Sequence, residues 1–191
     1  MSRQAEIERN TRETRIKAMI DLDAASIDVT TGLPFFDHML TAMAFHGGFG
    51  VSIRADGDLD VDPHHVVEDT GIVMGTCLEA ILRDGGPVRR FGHAVIPMDE
   101  ALAEATVDVC GRPTLVYRVD LPQDYAGDFA LWLMREFFGG LSMGARIALH
   151  LDCRYGENAH HMVEALYKAL GKALGQAYAS GPHAMSTKGM I

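Results

Sequence analysis

Two stretches of the chain carry the same run of potential metal ligands. His64-His65-Val66-Val67-Glu68 and His160-His161-Met162-Val163-Glu164 each set two histidines ahead of two apolar residues and a glutamate, and they hold four of the nine histidines. Imidazole and carboxylate together bind divalent metal ions, and the neutral imidazole that does so is available near pH 7. On a helix His65 and Glu68 stand at i, i+3, as do His161 and Glu164, so each of these pairs shares a face and is placed to chelate one ion. His64 and His160 point about 100° away around the axis, which suits each His pair to two ions rather than one. The simplest closed scheme joins the second His and the Glu of one copy to the first His of the other, giving two related sites. A single His-His on a helix reads as a solvated face, whereas two copies with one spacing read as paired metal sites.

Candidates for a further ligand repeat as well. His38, in Phe35-Phe36-Asp37-His38, lies 26 residues before the first pair, and Glu136, in Arg135-Glu136-Phe137-Phe138, lies 24 before the second. The set is nitrogen and oxygen without sulfur, which suits Mn²⁺, Fe²⁺ or Co²⁺ with open positions and is compatible with Zn²⁺. His93, His150 and His183 read as structural or surface groups. His46, in Phe45-His46-Gly47-Gly48, reads equally as a structural group and as part of a site.

Both His pairs must sit at helix starts. Asp62 and Asn158 are N-cap types, whose short side chains accept from unpaired N-H groups of the first turn, and Pro63 suits a first helical position. After the second pair, Val163, Leu166, Tyr167, Leu170, Leu174, Ala177 and Tyr178 follow the spacing of a buried helical stripe. After the first, Val67, Ile72, Val73, Leu78, Ile81 and Leu82 do so less regularly. Gly71, Gly75, Gly171 and Gly175 weaken these helices unless close packing, each helix against its copy, compensates. Two further helices are expected over Pro34 to Phe45 and Ala130 to Gly139. Strands are expected over Arg15 to Leu22, Ala25 to Thr30, Gly50 to Ala55, Ala105 to Val109, Leu115 to Val119 and Arg146 to Asp152. The 96-residue offset between His64 and His160 points to a duplicated half-domain, with halves near 9–95 and 96–180 within one domain of 191 residues. The fold class is α+β, sheets with helices on one face related by a pseudo-twofold axis. Residues 181–191 lack periodicity and read as a mobile tail.

Composition narrows the function. The chain is 48% hydrophobic and 23% charged, an ordinary globular balance that excludes disorder. Its formal charge of −9, without a Lys/Arg run, argues against nonspecific binding to nucleic acid or anionic membranes. Cys77, Cys110 and Cys153 are far apart, so neither a disulfide framework nor a thiolate metal site is expected, and a reducing cytoplasm fits. No apolar run approaches the roughly 18 residues of a membrane span, and the N-terminal segment lacks the apolar core of a signal peptide.

Six motifs then combine in order. Pro34-Phe35-Phe36-Asp37-His38-Met39-Leu40, the segment from Asp58 through His64-His65-Val66-Val67-Glu68-Asp69, Pro97-Met98-Asp99-Glu100-Ala101-Leu102, Gly111-Arg112-Pro113, Gly156-Glu157-Asn158-Ala159-His160-His161 and Ser186-Thr187-Lys188-Gly189 together resemble the imidazoleglycerol-phosphate dehydratase family. The resemblance runs from about Arg9 to the C-terminus. It implies dehydration of imidazole glycerol phosphate to imidazole acetol phosphate in histidine biosynthesis, and in each half a four-stranded sheet with helices on one face. It further implies two Mn²⁺ per subunit and a 24-subunit homo-oligomer with sites between neighbours. By position, one ion takes His38, His65, Glu68 and His160, and the other takes His64, Glu136, His161 and Glu164. Family members often have His where this chain has Glu136, a departure that keeps a ligand and adds negative charge.

The C-H to be broken is not acidic, so the imidazole ring must take part in moving electron density, as an imidazolate held between two cations can. Glu13 matches the family's substrate-contacting acid and is the candidate general acid/base. Arg90, Arg112, Lys168, Ser186 and Lys188, with Thr187 and His46 beside them, match substrate-binding positions where cations and hydroxyls meet the phosphate dianion. The tail is then expected to act as a lid. Two other classes are a metal-dependent hydrolase, which requires phosphate release, and a metal store, in which Glu13→Gln changes nothing.

Overall fold

Alternating burial builds the first sheet. The computed structural model of the chain describes residues 3–181. Strand β1 (Gln4–Asn10) pairs antiparallel with β2 (Thr14–Asp21), which turns Thr14, Ile16, Ala18 and Ile20 inward and Arg15 and Lys17 outward, as one-sided burial of a pleated strand requires. Next come β3 (Ile27–Thr30), helix α1 (Pro34–Gly47) and β4 (Gly50–Gly57), in the sheet order β1-β2-β4-β3. Strands β3 and β4 run parallel, so they need the crossover that α1 supplies. Helix α2 (His64–Asp84) returns across β1 and β2.

The second half repeats this plan. It runs β5 (Phe91–Met98), β6 (Ala101–Asp108), β7 (Thr114–Arg118), a short hairpin of β8 (Tyr125–Ala126) and β9 (Phe129–Ala130), α3 (Leu133–Ala145), β10 (Ala148–Tyr155) and α4 (Ala159–Ala177). Its sheet order is β5-β6-β10-β7, with β7 and β10 parallel. The α+β duplication expected from the His pairs is therefore present, strand for strand. The first strands and the third strands of the two halves are both offset by 87 residues (Gln4 to Phe91, Ile27 to Thr114), but α1 and α3 are offset by 99 (Pro34 to Leu133). The hairpin accounts for the jump, being an insertion between β7 and α3 without a counterpart in the first half.

Several boundaries differ from expectation. Strands β1 and β5 were not foreseen, because Gln-Ala-Glu-Ile-Glu-Arg-Asn alternates between exposed and half-buried positions at a sheet edge and reads as a polar segment. With β5 paired wholly to β6, the two sheets divide the chain between Gly85 and Arg90, ahead of residue 96, and the first begins at Gln4 rather than near residue 9. Helix α3 starts at Leu133, since Phe129 and Ala130 are spent on the hairpin.

The helix pairing also differs. Helix α2 packs on α3 and α4 on α1, rather than each on its copy. A pseudo-twofold that exchanges α1 with α3 and α2 with α4 turns one contact into the other, so the halves meet through their helices. The glycines serve these crossed contacts. A Cβ on Gly71 would stand 2.3 Å from the Phe137 carbonyl oxygen, and one on Gly171 would stand 2.0 Å from that of Met43. Gly171→Ala is therefore expected to lower stability despite a helix-propensity gain of about 1 kcal/mol, because overpacking against rigid backbone costs about 1–3 kcal/mol or more. A lowered thermal midpoint checks this. Tyr167, Phe137, Phe138, Phe36 and Met39 fill the space between the helices and are fully buried. Among the described residues no helix is long and apolar enough to cross a membrane.

Candidate metal centre

The His pairs open α2 and α4, as their flanking residues require. The Asn158 side chain accepts from the His160 backbone N-H at 2.9 Å and Asp62 accepts from that of His64 at 2.7 Å, the same i to i+2 cap in each half. The crossed helix packing then brings a third ligand to each. His38 of α1 meets His160 and Glu164 of α4, and Glu136 of α3 meets His64 and Glu68 of α2, with the ligand atoms of each group within 4.8 Å of one another. Within the first group Glu164 Oε2 lies 3.1 Å from His160 Nε2 and 3.3 Å from His38 Nε2. Within the second, Glu68 Oε2 lies 3.5 Å from His64 Nε2.

These groupings change the chelation expected from helical spacing. Glu68 turns to His64 and Glu164 to His160, both i, i+4, instead of to His65 and His161 at i, i+3. The first His and the Glu of each motif face the neighbouring helix, where His38 or Glu136 waits. The second His turns toward a carboxylate elsewhere. His65 Nδ1 is 3.2 Å from both oxygens of Asp58, and His161 Nδ1 is 2.8 Å from Glu100 Oε2. Of the expected ligand sets, His38 with His160 and His64 with Glu136 come together in one chain, while Glu68 and Glu164 exchange places. Neither His65 nor His161 reaches a group of its own chain.

The two groups are chemically unequal. The first holds two imidazoles and one carboxylate. Burial pushes Glu164 up, but Lys168, at 2.8 Å from Oε1, together with His38 and His160 outweighs it and holds the carboxyl below its ordinary range. The second holds one imidazole and two carboxylates. Aromatic rings flank both at matching positions, Phe35 against His160 at 5.3 Å and Trp132 against His64 at 5.8 Å between centroids. Only the first is walled by the inserted hairpin, whose Phe129 packs on Phe35 and Phe36. There it closes an apolar pocket of about 350 Å³ against Leu33, Pro34, Pro63 and His160.

The other expected site residues are spread out. Glu13, in the β1-β2 turn, has Oε2 3.9 Å from His65 Nε2. His46 lies two turns beyond His38 on α1, and burial, with Lys168 and Lys172 nearby, lowers its pKa. Arg90 donates to Asp108 at 2.7 Å and its backbone N-H donates to the Ala177 carbonyl, placing it at the far end of α4. Seventeen residues separate His160 from Ala177 on this helix, about 25 Å at 1.5 Å per residue. Arg112, in the β6-β7 turn, is exposed at that same end of the second sheet. Within one chain, then, Arg90 is not near the ligand groups. Ser186, Thr187 and Lys188, and the proposed lid beyond Gly181, lie outside the described residues. Asp58 and Glu100 were not singled out for a role in the sequence, although both stood in quoted motifs; Glu100 lies in the β5-β6 turn, far in sequence from the helix it reaches.

The chain and its fold have known relatives. The sequence profile of imidazoleglycerol-phosphate dehydratase matches residues 31–174. Relatives bearing that name include one from Citrifermentans bemidjiense, 48% identical over 195 residues, and one from Phenylobacterium zucineum, 45% identical over 196 residues, each with both chains covered in full. The crystal structure of the Pyrococcus furiosus enzyme superposes with a TM-score of 0.87 at 39% identity, covering 97% of this chain and 100% of that one. That of the Staphylococcus aureus enzyme gives 0.85 at 37%, covering 93% and 99%.

Proposed function

Because the chain belongs to the imidazoleglycerol-phosphate dehydratase family, whose hydro-lyase reaction in histidine biosynthesis it performs, we propose that its two His/Glu groups are the metal centres of that reaction. The observation that carries the reading is the pair of three-ligand groups, His38/His160/Glu164 and His64/Glu68/Glu136, held at equivalent places by crossed helix contacts. Their nitrogen and oxygen donors fit two divalent ions per chain, Mn²⁺ foremost. His65 and His161 complete the sets from a neighbouring chain, His65 joining the group of His38 and His161 the group of Glu136. Divalent ions held there supply Lewis acidity toward a bound imidazole ring.

The chain's own residues perform the rest. Glu13 gives a proton to the hydroxyl departing from the carbon attached to the ring and takes one from the next carbon, so that water leaves and the resulting enol becomes the ketone at that second carbon. Arg90, Arg112 and Lys168, with Ser186, Thr187 and Lys188 of the tail, bind the phosphate, and His46 lies beside Lys168 on the same helix pair. The roughly 25 Å between His160 and the end of α4 supports a site assembled from more than one chain, and hence a homo-oligomer, of 24 subunits by the family resemblance. The three free cysteines suit a cytoplasmic enzyme. The test is product analysis with imidazole glycerol phosphate and Mn²⁺. The keto phosphate is expected with phosphate retained, and release of inorganic phosphate would identify a hydrolase instead.

A further inference from the structure

The duplication puts Glu13 and Glu100 at one position, the turn between the first two strands of each half, 87 residues apart like the strands themselves. Their surroundings differ. Glu100 Oε1 accepts from the backbone N-H groups of Glu157 at 3.1 Å and Asn158 at 2.8 Å, at the start of α4, and Oε2 accepts from His161 Nδ1 at 2.8 Å. Both backbone groups can only donate, so Glu100 is held as an ionised carboxylate, which accepts only; Nδ1 must therefore carry the imidazole proton. The lone pair then stays on Nε2, the atom that faces out toward Asp99 at 3.6 Å. In the first half the same service to His65 falls to Asp58. The Glu13 carboxylate, 57% exposed, is left uncommitted.

We propose that Glu100 is a positioning residue that holds His161 in the tautomer able to ligate a divalent ion through Nε2, the counterpart of Asp58 for His65. This division of labour makes Glu13 available for proton transfer while its structural twin is not. The inference rests on the metal reading above. Hydrogen-bonded carboxylates behind ligating histidines are worth about 10–100-fold in metal affinity.

The bonding predicts an unequal response to two conservative substitutions. In Glu100→Gln the amide oxygen stays on the two backbone donors, because the flipped amide would aim its NH₂ at both. The NH₂ then replaces Oε2 and donates to His161 Nδ1, which forces the proton onto Nε2 and removes the ligand. In Asp58→Asn both original oxygens are equidistant from His65 Nδ1, so the amide can present its oxygen and the tautomer survives. The experiment is Mn²⁺ titration of the metal-free full-length chain, followed by electron paramagnetic resonance, with ¹⁵N spectra of labelled histidine reporting the tautomer before metal is added. The wild-type chain and Asp58→Asn are expected to bind two ions. Glu100→Gln is expected to keep one and weaken the other by about 10–100-fold, with an Nε2-H signal replacing an Nδ1-H signal. Two ions bound with wild-type affinity by Glu100→Gln, or an equal loss in Asp58→Asn, would overturn the proposal. A wild-type chain that binds no ion would overturn the metal reading, and this inference with it.

Discussion

Replacing Glu13 by glutamine is expected to lower turnover of imidazole glycerol phosphate by roughly 10²–10⁴-fold, the usual worth of a positioned acid/base, with two ions still bound. The side chain is exposed and makes no described hydrogen bond, while the turn is held by Thr11, whose Oγ1 accepts from the backbone N-H groups of Glu13 and Thr14 at 3.1 and 2.9 Å. Removing the charge therefore leaves the turn in place. Glutamine has nearly the same shape but cannot take a proton. Turnover at saturating substrate and Mn²⁺, with metal content measured on the same sample, checks the prediction. Retained turnover would remove Glu13 from the chemistry. Loss of an ion would show instead that the carboxylate acts through His65, 3.9 Å away.

Removal of the ions is the second large effect. Each group offers three donors from its own chain, so a fourth contributed by His65 or His161 of a neighbour, as proposed above, would make the ion part of the contact between chains. Chelation should then release smaller species on gel filtration, and Mn²⁺ should restore the large one. Without an ion, the Glu68 and Glu136 carboxylates lie within 4.8 Å of each other and of His64, a pair of like charges that a divalent ion would neutralise. Unchanged size after complete chelation would count against ligands shared between chains.

Acid should act in the same direction. The hydrogen bond to Asp58 raises the pKa of His65 above its ordinary 6.5, and that to Glu100 does so for His161. As pH falls, protons therefore claim these two rings before an ordinary histidine, and an imidazolium has no lone pair for a metal. The metal-dependent contribution is present at high pH and is lost as pH falls through the raised values. The metal-free fold has the opposite trend: its two His-carboxylate pairs contribute fully below the unfolded-state value, and that contribution disappears as pH rises through the raised values. Melting curves with and without Mn²⁺ across this range should move in opposite directions.

The expectations that held were those with a local cause. The cap residues Asp62 and Asn158 act within two residues of themselves, and the stripe from Val163 to Tyr178 repeats every turn of a single helix, so both could be read without knowing what they touch. The strands that were missed, β1 and β5, lie at sheet edges, where alternation is diluted by exposed charge in β1 and by Gly92, His93 and Pro97 in β5. The hairpin at Tyr125–Ala130 is too short to show a period. Among the site residues, the carboxylates behind His65 and His161 were hidden because one lies seven residues away and the other sixty-one, and nothing in either spacing marks a contact.

By itself the sequence determined that the protein is a duplication, that each half opens a helix with two histidines and a glutamate, and that the candidate ligands are nitrogen and oxygen without sulfur. Only the tertiary structure decided which His shares a group with which Glu. Residues at i+3 and i+4 are both within reach on a helix, so the choice falls to the neighbouring helix. Glycines at the α1-α4 and α2-α3 contacts bring His38 and Glu136 to the first His of each pair and leave the second His turned outward. Helical period is a property of one segment, whereas the direction in which a ring is useful depends on contacts between residues 68 to 126 positions apart.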